Sequence, residues 1–134
     1  MKALFVDTSF YLAFISTDDA HHVCAMSLAG ERPAPMVTTA WVLTEVGNML
    51  SAPPKRRTFL TLIRDLRANP HVTVVQPTQE LFDQGLDLYA QRPDKDWSLT
   101  DCISFVVMQQ QGLTEALTGD RHFEQAGFKA LLLG

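Results

Sequence analysis

The chain has 134 residues, 46% of them hydrophobic, and a formal net charge of −4. That content suffices for a buried core, and the absence of a compositional break predicts one domain over residues 1–134. No apolar run approaches the roughly 18 residues of a membrane span. The acidic balance argues against coating nucleic acid by bulk charge, and the distant Cys24 and Cys102 argue against a disulfide framework or a structural zinc site.

The apolar run before Asp7 is too short for a secretory signal, which makes the cytoplasm the expected location. Residues 3–6 read as a buried strand, continuous rather than alternating. A helix over 8–15 follows, then a second over 21–30 that Pro33 and Pro35 break. Residues 36–38 form a short strand and 39–51 a helix. Pro53-Pro54 ends it and opens another over 55–68, where Phe59, Leu60, Leu62, Ile63 and Leu66 recur at helical spacing.

A strand over 72–75 comes next. Thr78 then caps a helix carrying Leu81, Phe82, Leu86, Leu88 and Tyr89. Residues 92–97 are a polar loop, and Ser98-Leu-Thr-Asp101 has the form of a capping box opening a helix to about Gln111. A strand over 115–118, a short helix over 121–126 and a strand over 129–133 complete the chain. Short strands alternating with helices predict an α/β fold with a mostly parallel sheet.

Acids stand at the ends of these apolar segments. Asp7 closes the first strand, and Asp120 follows the strand at 115–118 through Gly119. In an open α/β sheet, such strand ends form the binding crevice. A capping or turn role is the plainer reading of each. Glu45 falls between Trp41 and Met49, on a helix face that also carries Val42 and Val46 and is expected to be buried. Burying an unpaired carboxylate there is costly. Asp101 occupies the third position of a capping box on a helix that is apolar nearly all round. Four carboxylates in one cleft would resist ionisation unless a cation sat among them, so a divalent metal site is the sharpest reading. Oxygen-only ligands favour Mg²⁺ or Mn²⁺ over zinc. Asp96, in the loop before Asp101, is at most a supporting residue. The four histidines show no ligand spacing: His21-His22 is expected to be exposed and His122 to be a bystander beside Asp120.

Taken in order, Val6-Asp-Thr-Ser9, Thr44-Glu-Val46, Trp97-Ser-Leu-Thr-Asp-Cys102 and Leu117-Thr-Gly-Asp-Arg-His-Phe123 resemble the PIN-domain ribonuclease family from Leu4 to Leu133. The resemblance implies a three-layer α/β/α sandwich around a central parallel sheet of about five strands. It implies that Asp7, Glu45, Asp101 and Asp120 are catalytic and bind Mg²⁺ or Mn²⁺, with Thr8, Ser9 and Thr118 as small polar neighbours. It further implies metal-dependent endonucleolytic cleavage of single-stranded or loop RNA. Many small bacterial members are VapC-type toxins, so a cognate antitoxin and a homodimer are expected partners.

Substrate affinity is expected from phosphate contacts by basic residues, with Lys55, Arg56, Arg57, Arg92, Lys95 and Arg121 as candidates. Trp97 either stacks on an unpaired base or anchors its loop to the core. Two other small α/β classes fit less well. A receiver domain wants paired acids directly after the first strand, and Asp18-Asp19 comes too late. A haloacid-dehalogenase-type phosphatase needs an aspartate where Ser9 stands. A non-catalytic module of the PIN fold, binding RNA or protein without cutting, is the main alternative.

Overall fold

The computed structural model describes residues 2–31 and 34–134. β1 (Leu4–Val6) leads to α1 (Thr8–Ile15) and α2 (His22–Gly30). β2 (Met36–Thr39), α3 (Ala40–Met49) and α4 (Pro53–Ala68) follow, then β3 (Val72–Val75), α5 (Gln79–Gln91) and α6 (Leu99–Gln110). β4 (Glu115–Leu117), α7 (Arg121–Gln125) and β5 (Lys129–Ala130) close the order. The break expected at Pro33 lies outside the described residues. Pro35 stands just before β2, and its carbonyl accepts the Leu4 N–H at 2.9 Å.

All strand pairings are parallel, in the order β3-β2-β1-β4-β5. Parallel neighbours need crossover connections, and helices supply them, giving a three-layer α/β/α sandwich. β1 is central: Phe5 registers with Val37 on one side and Ala116 on the other. A strand covered on both faces has no solvent side, which accounts for its continuous apolar sequence. Phe5 and Val6 are fully buried. The chain runs outward from β1 through β2 to β3, then crosses to the other side for β4 and β5. The direction of travel therefore reverses between β1 and β4, and a crevice opens where their carboxyl ends diverge.

Aromatic packing fixes what stands around that crevice. Phe105 of α6 packs edge-on against Phe123 of α7 with ring centroids 4.9 Å apart, and Phe123 lies 6.2 Å from Phe5 of β1. One cluster thus joins the central strand to the helices that follow the crevice. Behind it, α5 and α6 approach closely at Gly85, where a methyl group would overlap Ile103 Cγ1.

Two elements depart from the sequence expectation. The last strand is two residues long, not five, and passes into a 3₁₀ turn at Leu131–Leu133. β5 pairs only with Glu115 and Ala116. Beyond them the ladder ends, and the Leu132 N–H turns to the Thr118 carbonyl at 3.1 Å. α4 starts at Pro53 because proline suits the first helical positions, where no N–H is needed. It is peripheral: none of its residues is fully buried, and Leu60 is 66% exposed.

Candidate functional site

Asp7 is the first residue after β1 and the N-cap of α1, yet its carboxylate makes no capping bond. It is buried and points instead toward the neighbouring strand, where Thr118 Oγ1 donates to Oδ2 at 2.9 Å. The Thr118 oxygen in turn accepts the Asp120 N–H at 3.0 Å and lies 3.0 Å from Ser9 Oγ. Ser9 Oγ accepts the Gly119 N–H at 3.0 Å. An ionised carboxylate only accepts, so the Thr118 proton goes to Asp7, while Ser9 Oγ lies within reach of both Thr118 Oγ1 and, at 3.4 Å, Asp7 Oδ2. This file of donors, from Gly119 through Ser9 and Thr118 to Asp7, locks the end of β1 to the segment after β4.

Asp101 arrives from α6. Ser98 Oγ accepts the Asp101 N–H at 3.0 Å and Asp101 Oδ2 accepts the Ser98 N–H at 3.1 Å, a complete capping box. The box fixes where α6 begins, and hence where this carboxylate stands. Asp120 caps α7, its Oδ1 accepting the His122 N–H at 2.8 Å. His122 Nδ1 lies 3.0 Å from Asp101 Oδ2 and 3.3 Å from Asp120 Oδ1. Three segments distant in sequence thus bring Asp7, Asp101 and Asp120 to one crevice.

The electrostatics follow from this crowding. Burial pushes the Asp7 carboxyl up to about 7; the Thr118 hydrogen bond opposes the rise, and the charges of Asp101 and Asp120 add to it. Burial also raises Asp101 above the ordinary carboxylate value, against the Ser98 N–H and His122. Oxygens from Asp101 and Asp120 and a nitrogen of His122 lie within 4.8 Å of one another. Such a set can hold a cation, which would lift the penalty on Asp7 as well.

The remaining expected residues are placed unevenly. Glu45 is half-buried on α3, with Val42 and Val46 buried beside it but Met49 58% exposed, so its face is a rim rather than the core interior expected. Among the described residues it shares no hydrogen bond or ion pair with the three aspartates. Thr8 is buried next to Asp7, and its hydroxyl finds no hydrogen-bond partner among the described residues. Asp96 is exposed in its loop. Lys55, Arg56 and Arg57 are exposed at the start of α4, with Arg56 Nε held on the Ser51 carbonyl at 2.8 Å. Arg92 is paired with Asp94 at 3.0 Å and lies over Trp97, and Lys95 lines the same hollow. Arg121 is exposed beside the acids, in an open cleft of about 580 Å³ that also carries Ser9, His21 and Asp120.

The expectations for the histidines are corrected, and of the two readings of Trp97 the loop anchor holds. His122 is no bystander, since its ring contacts two of the acids. The Asp-x-His spacing at a helix start accounts for the contact to Asp120, whereas the contact to Asp101 spans 21 positions and has no local signal. His21 and His22 are half-buried rather than exposed: His22 Nδ1 lies 2.7 Å from the Ala13 carbonyl oxygen, and the His21 ring packs on Gly119, where an added Cβ would approach it to 3.0 Å. Trp97 is 6% exposed, its Nε1 donating to Gln125 Oε1 at 3.0 Å and its ring edge-on to Phe105, so it anchors its loop and offers no face to a base.

Known proteins are similar to this chain in sequence and fold. The PIN domain profile matches residues 4–129. The chain is 30% identical over 125 residues to the 23S rRNA-specific endonuclease VapC20 of Mycobacterium tuberculosis, covering 93% of this chain and 95% of that one. Its fold is similar to the crystal structure of that VapC20, a sarcin-ricin loop cleaving toxin, with a TM-score of 0.84 over 93% of this chain and 95% of the other. The FitAcB structure from Neisseria gonorrhoeae is similar in fold alone, with a TM-score of 0.63 at 16% identity, over 95% of this chain and 94% of the other. A profile match over nearly the whole chain and a relative of this identity agree with the acids gathered where β1 and β4 diverge: the chain belongs to the PIN-domain family.

Proposed function

We propose that the protein is a metal-dependent endoribonuclease that hydrolyses RNA phosphodiester bonds and acts as the toxin of a type II toxin–antitoxin pair. The observation that carries this reading is the convergence of Asp7, Asp101 and Asp120 at the switch point of a parallel sheet. The relatedness to an rRNA-specific endonuclease over nearly the full chain supports the substrate class. This reading takes residues 1–134 as one domain.

Asp7, Glu45, Asp101 and Asp120 are the catalytic acids and the residues that hold Mg²⁺ or Mn²⁺. The fit rests on the donor set: the acids offer carboxylate oxygens, which suit hard cations. Such an ion, when bound, promotes ionisation of the attacking water and offsets charge at the phosphoryl and leaving oxygens. Ser9 and Thr118 hold the Asp7 carboxylate through the donor file described above. Thr8, next to Asp7, and Asp96, in the loop before α6, are the supporting residues of this reading. Arg121, beside the cleft, and Lys55, Arg56, Arg57, Arg92 and Lys95 supply phosphate contacts that orient the strand without reading its bases.

The partners are an RNA substrate, a cognate antitoxin and a second copy of the chain. Apolar side chains left open at Val23, Met26, Leu60 and Tyr89 support a protein completed by other chains. Among the described residues no helix is long and apolar enough to cross a membrane, and the reading places the activity in the cytoplasm, with its RNA.

The test is cleavage of labelled single-stranded and stem-loop RNAs with Mn²⁺ or Mg²⁺, with and without EDTA, beside Asp101→Asn and Asp120→Asn prepared identically. Cutting that needs the metal and is lost in both variants is expected. Folded wild type that binds metal-free RNA but never cuts it, and binds no metal by calorimetry, would replace this reading with a non-catalytic module.

A further inference from the structure

His122 sits where neither a core histidine nor a free surface residue would. It is the second residue of α7, 29% exposed at the side chain, and the polar contacts of its ring run to acids of the proposed centre. Its backbone N–H and its ring Nδ1 both address Asp120 Oδ1, at 2.8 and 3.3 Å, while the same Nδ1 reaches Asp101 Oδ2 at 3.0 Å. Ionised carboxylate oxygens can only accept, so the tautomer these neighbours select carries its proton on Nδ1.

The oxygens it touches are otherwise occupied on the same side. Asp101 Oδ2 accepts from the Ser98 N–H and from the ring, which fills both of its lone pairs. Asp120 Oδ1 accepts from the His122 N–H and from the ring. Among the described residues no hydrogen bond reaches Asp101 Oδ1 or Asp120 Oδ2. One oxygen of each acid is therefore tied back and the other left free.

We propose that His122 is a positioning residue of the candidate metal centre, its Nδ1–H clipping Asp101 to Asp120 so that one oxygen of each is held for the ion. This inference rests on the proposed function, since it needs a cation to be bound there. It assigns His122 no proton transfer and no direct bond to the ion. Donors behind a ligating carboxylate fix its orientation, and removing one typically weakens metal affinity about 10- to 100-fold.

The experiment is calorimetric titration of the full chain with Mn²⁺, comparing wild type with His122→Ala, His122→Asn and His122→Gln, each checked by circular dichroism. Asn carries an amide near the position of Nδ1, whereas Gln carries it one bond further out. We expect Ala and Gln to lose about 10- to 100-fold in affinity and Asn to recover most of it, with melting temperatures alike in EDTA. Unchanged affinity in Ala and Gln, or equal loss in all three, overturns the proposal. So does a nitrogen hyperfine coupling to bound Mn²⁺ that vanishes in Ala, which would make the ring a ligand. If the wild type binds Mn²⁺ and Asp101→Asn does not, the centre stands whatever His122 does. If the wild type binds none, the centre and the clip both fall.

Discussion

Replacing Asp7 by Asn should stabilise the metal-free protein at alkaline pH and do nothing for it in acid. Asn retains an oxygen that can accept the Thr118 hydroxyl, so the change removes charge and little else. In the wild type the carboxyl rises from 3.8 to about 7, chiefly through burial. At roughly 1.4 kcal/mol per pH unit that difference is about 4 kcal/mol. Relaxation and water entry lower the effective penalty on a buried charge, so about 2–4 kcal/mol is expected. Between those two pH values the native state holds a proton that the unfolded chain has released. Wild-type stability therefore falls as pH rises from about 4 to about 7 and is level above that. The Asn variant lacks this slope. Thermal melts in EDTA at pH 5 and pH 8 provide the assay. At roughly 3–6 °C per kcal/mol for a chain of this size, Asp7→Asn should melt about 6–24 °C above wild type at pH 8 and by only about a third of that margin at pH 5. Added Mn²⁺ should raise the wild type and leave the variant unmoved. Equal melting at pH 8, or an advantage undiminished at pH 5, would refute the claim that Asp7 is a burdened carboxylate awaiting a cation.

Ser98→Ala removes the side-chain half of the capping box on α6 and should cost about 1 kcal/mol in urea unfolding. RNA cleavage should fall with it, because the same box orients Asp101; full activity in a destabilised variant would separate the cap from the site. Gly85→Ala offers α5 about 1 kcal/mol of helix propensity, but its methyl would overlap Ile103 Cγ1. The overpacking should cost about 1–3 kcal/mol. Net destabilisation is expected, and a more stable variant would show that the two helices have room to part.

The layered fold was legible because its signals are local. Residues 4–6 are continuous and apolar, as a two-sided strand requires, and Ser98-x-x-Asp101 announced a helix start that the structure realises bond for bond. Asp7 and Asp120 were legible as strand-end acids for the same reason. The relation between segments was less so. That β1 lies beside β4, and not only β2, is set by packing across the whole chain, and no window of sequence contains it. Glu45 shows the limit of a helical wheel: periodicity identified the face correctly as that of Val42 and Val46, but the depth of burial depends on what lies opposite. His122 was misjudged because its neighbour Phe123 dominates the local pattern, while the contact that matters, to Asp101, spans 21 positions. The shortened last strand reflects a partner too brief to pair with.

The bond from Thr118 to Asp7 has a consequence for how the chain is made. It joins positions 111 residues apart, and the strand that covers β1's second edge is β4, more than 100 residues further along. A ribosome synthesising this chain delivers Asp7 113 residues before Asp120. Until the segment after β4 emerges, Asp7 lacks Thr118 and Asp120, and the crevice has only one wall. A polypeptide truncated before residue 115 would also leave the most apolar strand with an open edge, a form prone to pair with other chains rather than persist. The crevice where Asp7 and Asp120 meet therefore cannot form until the segment after β4 has been made.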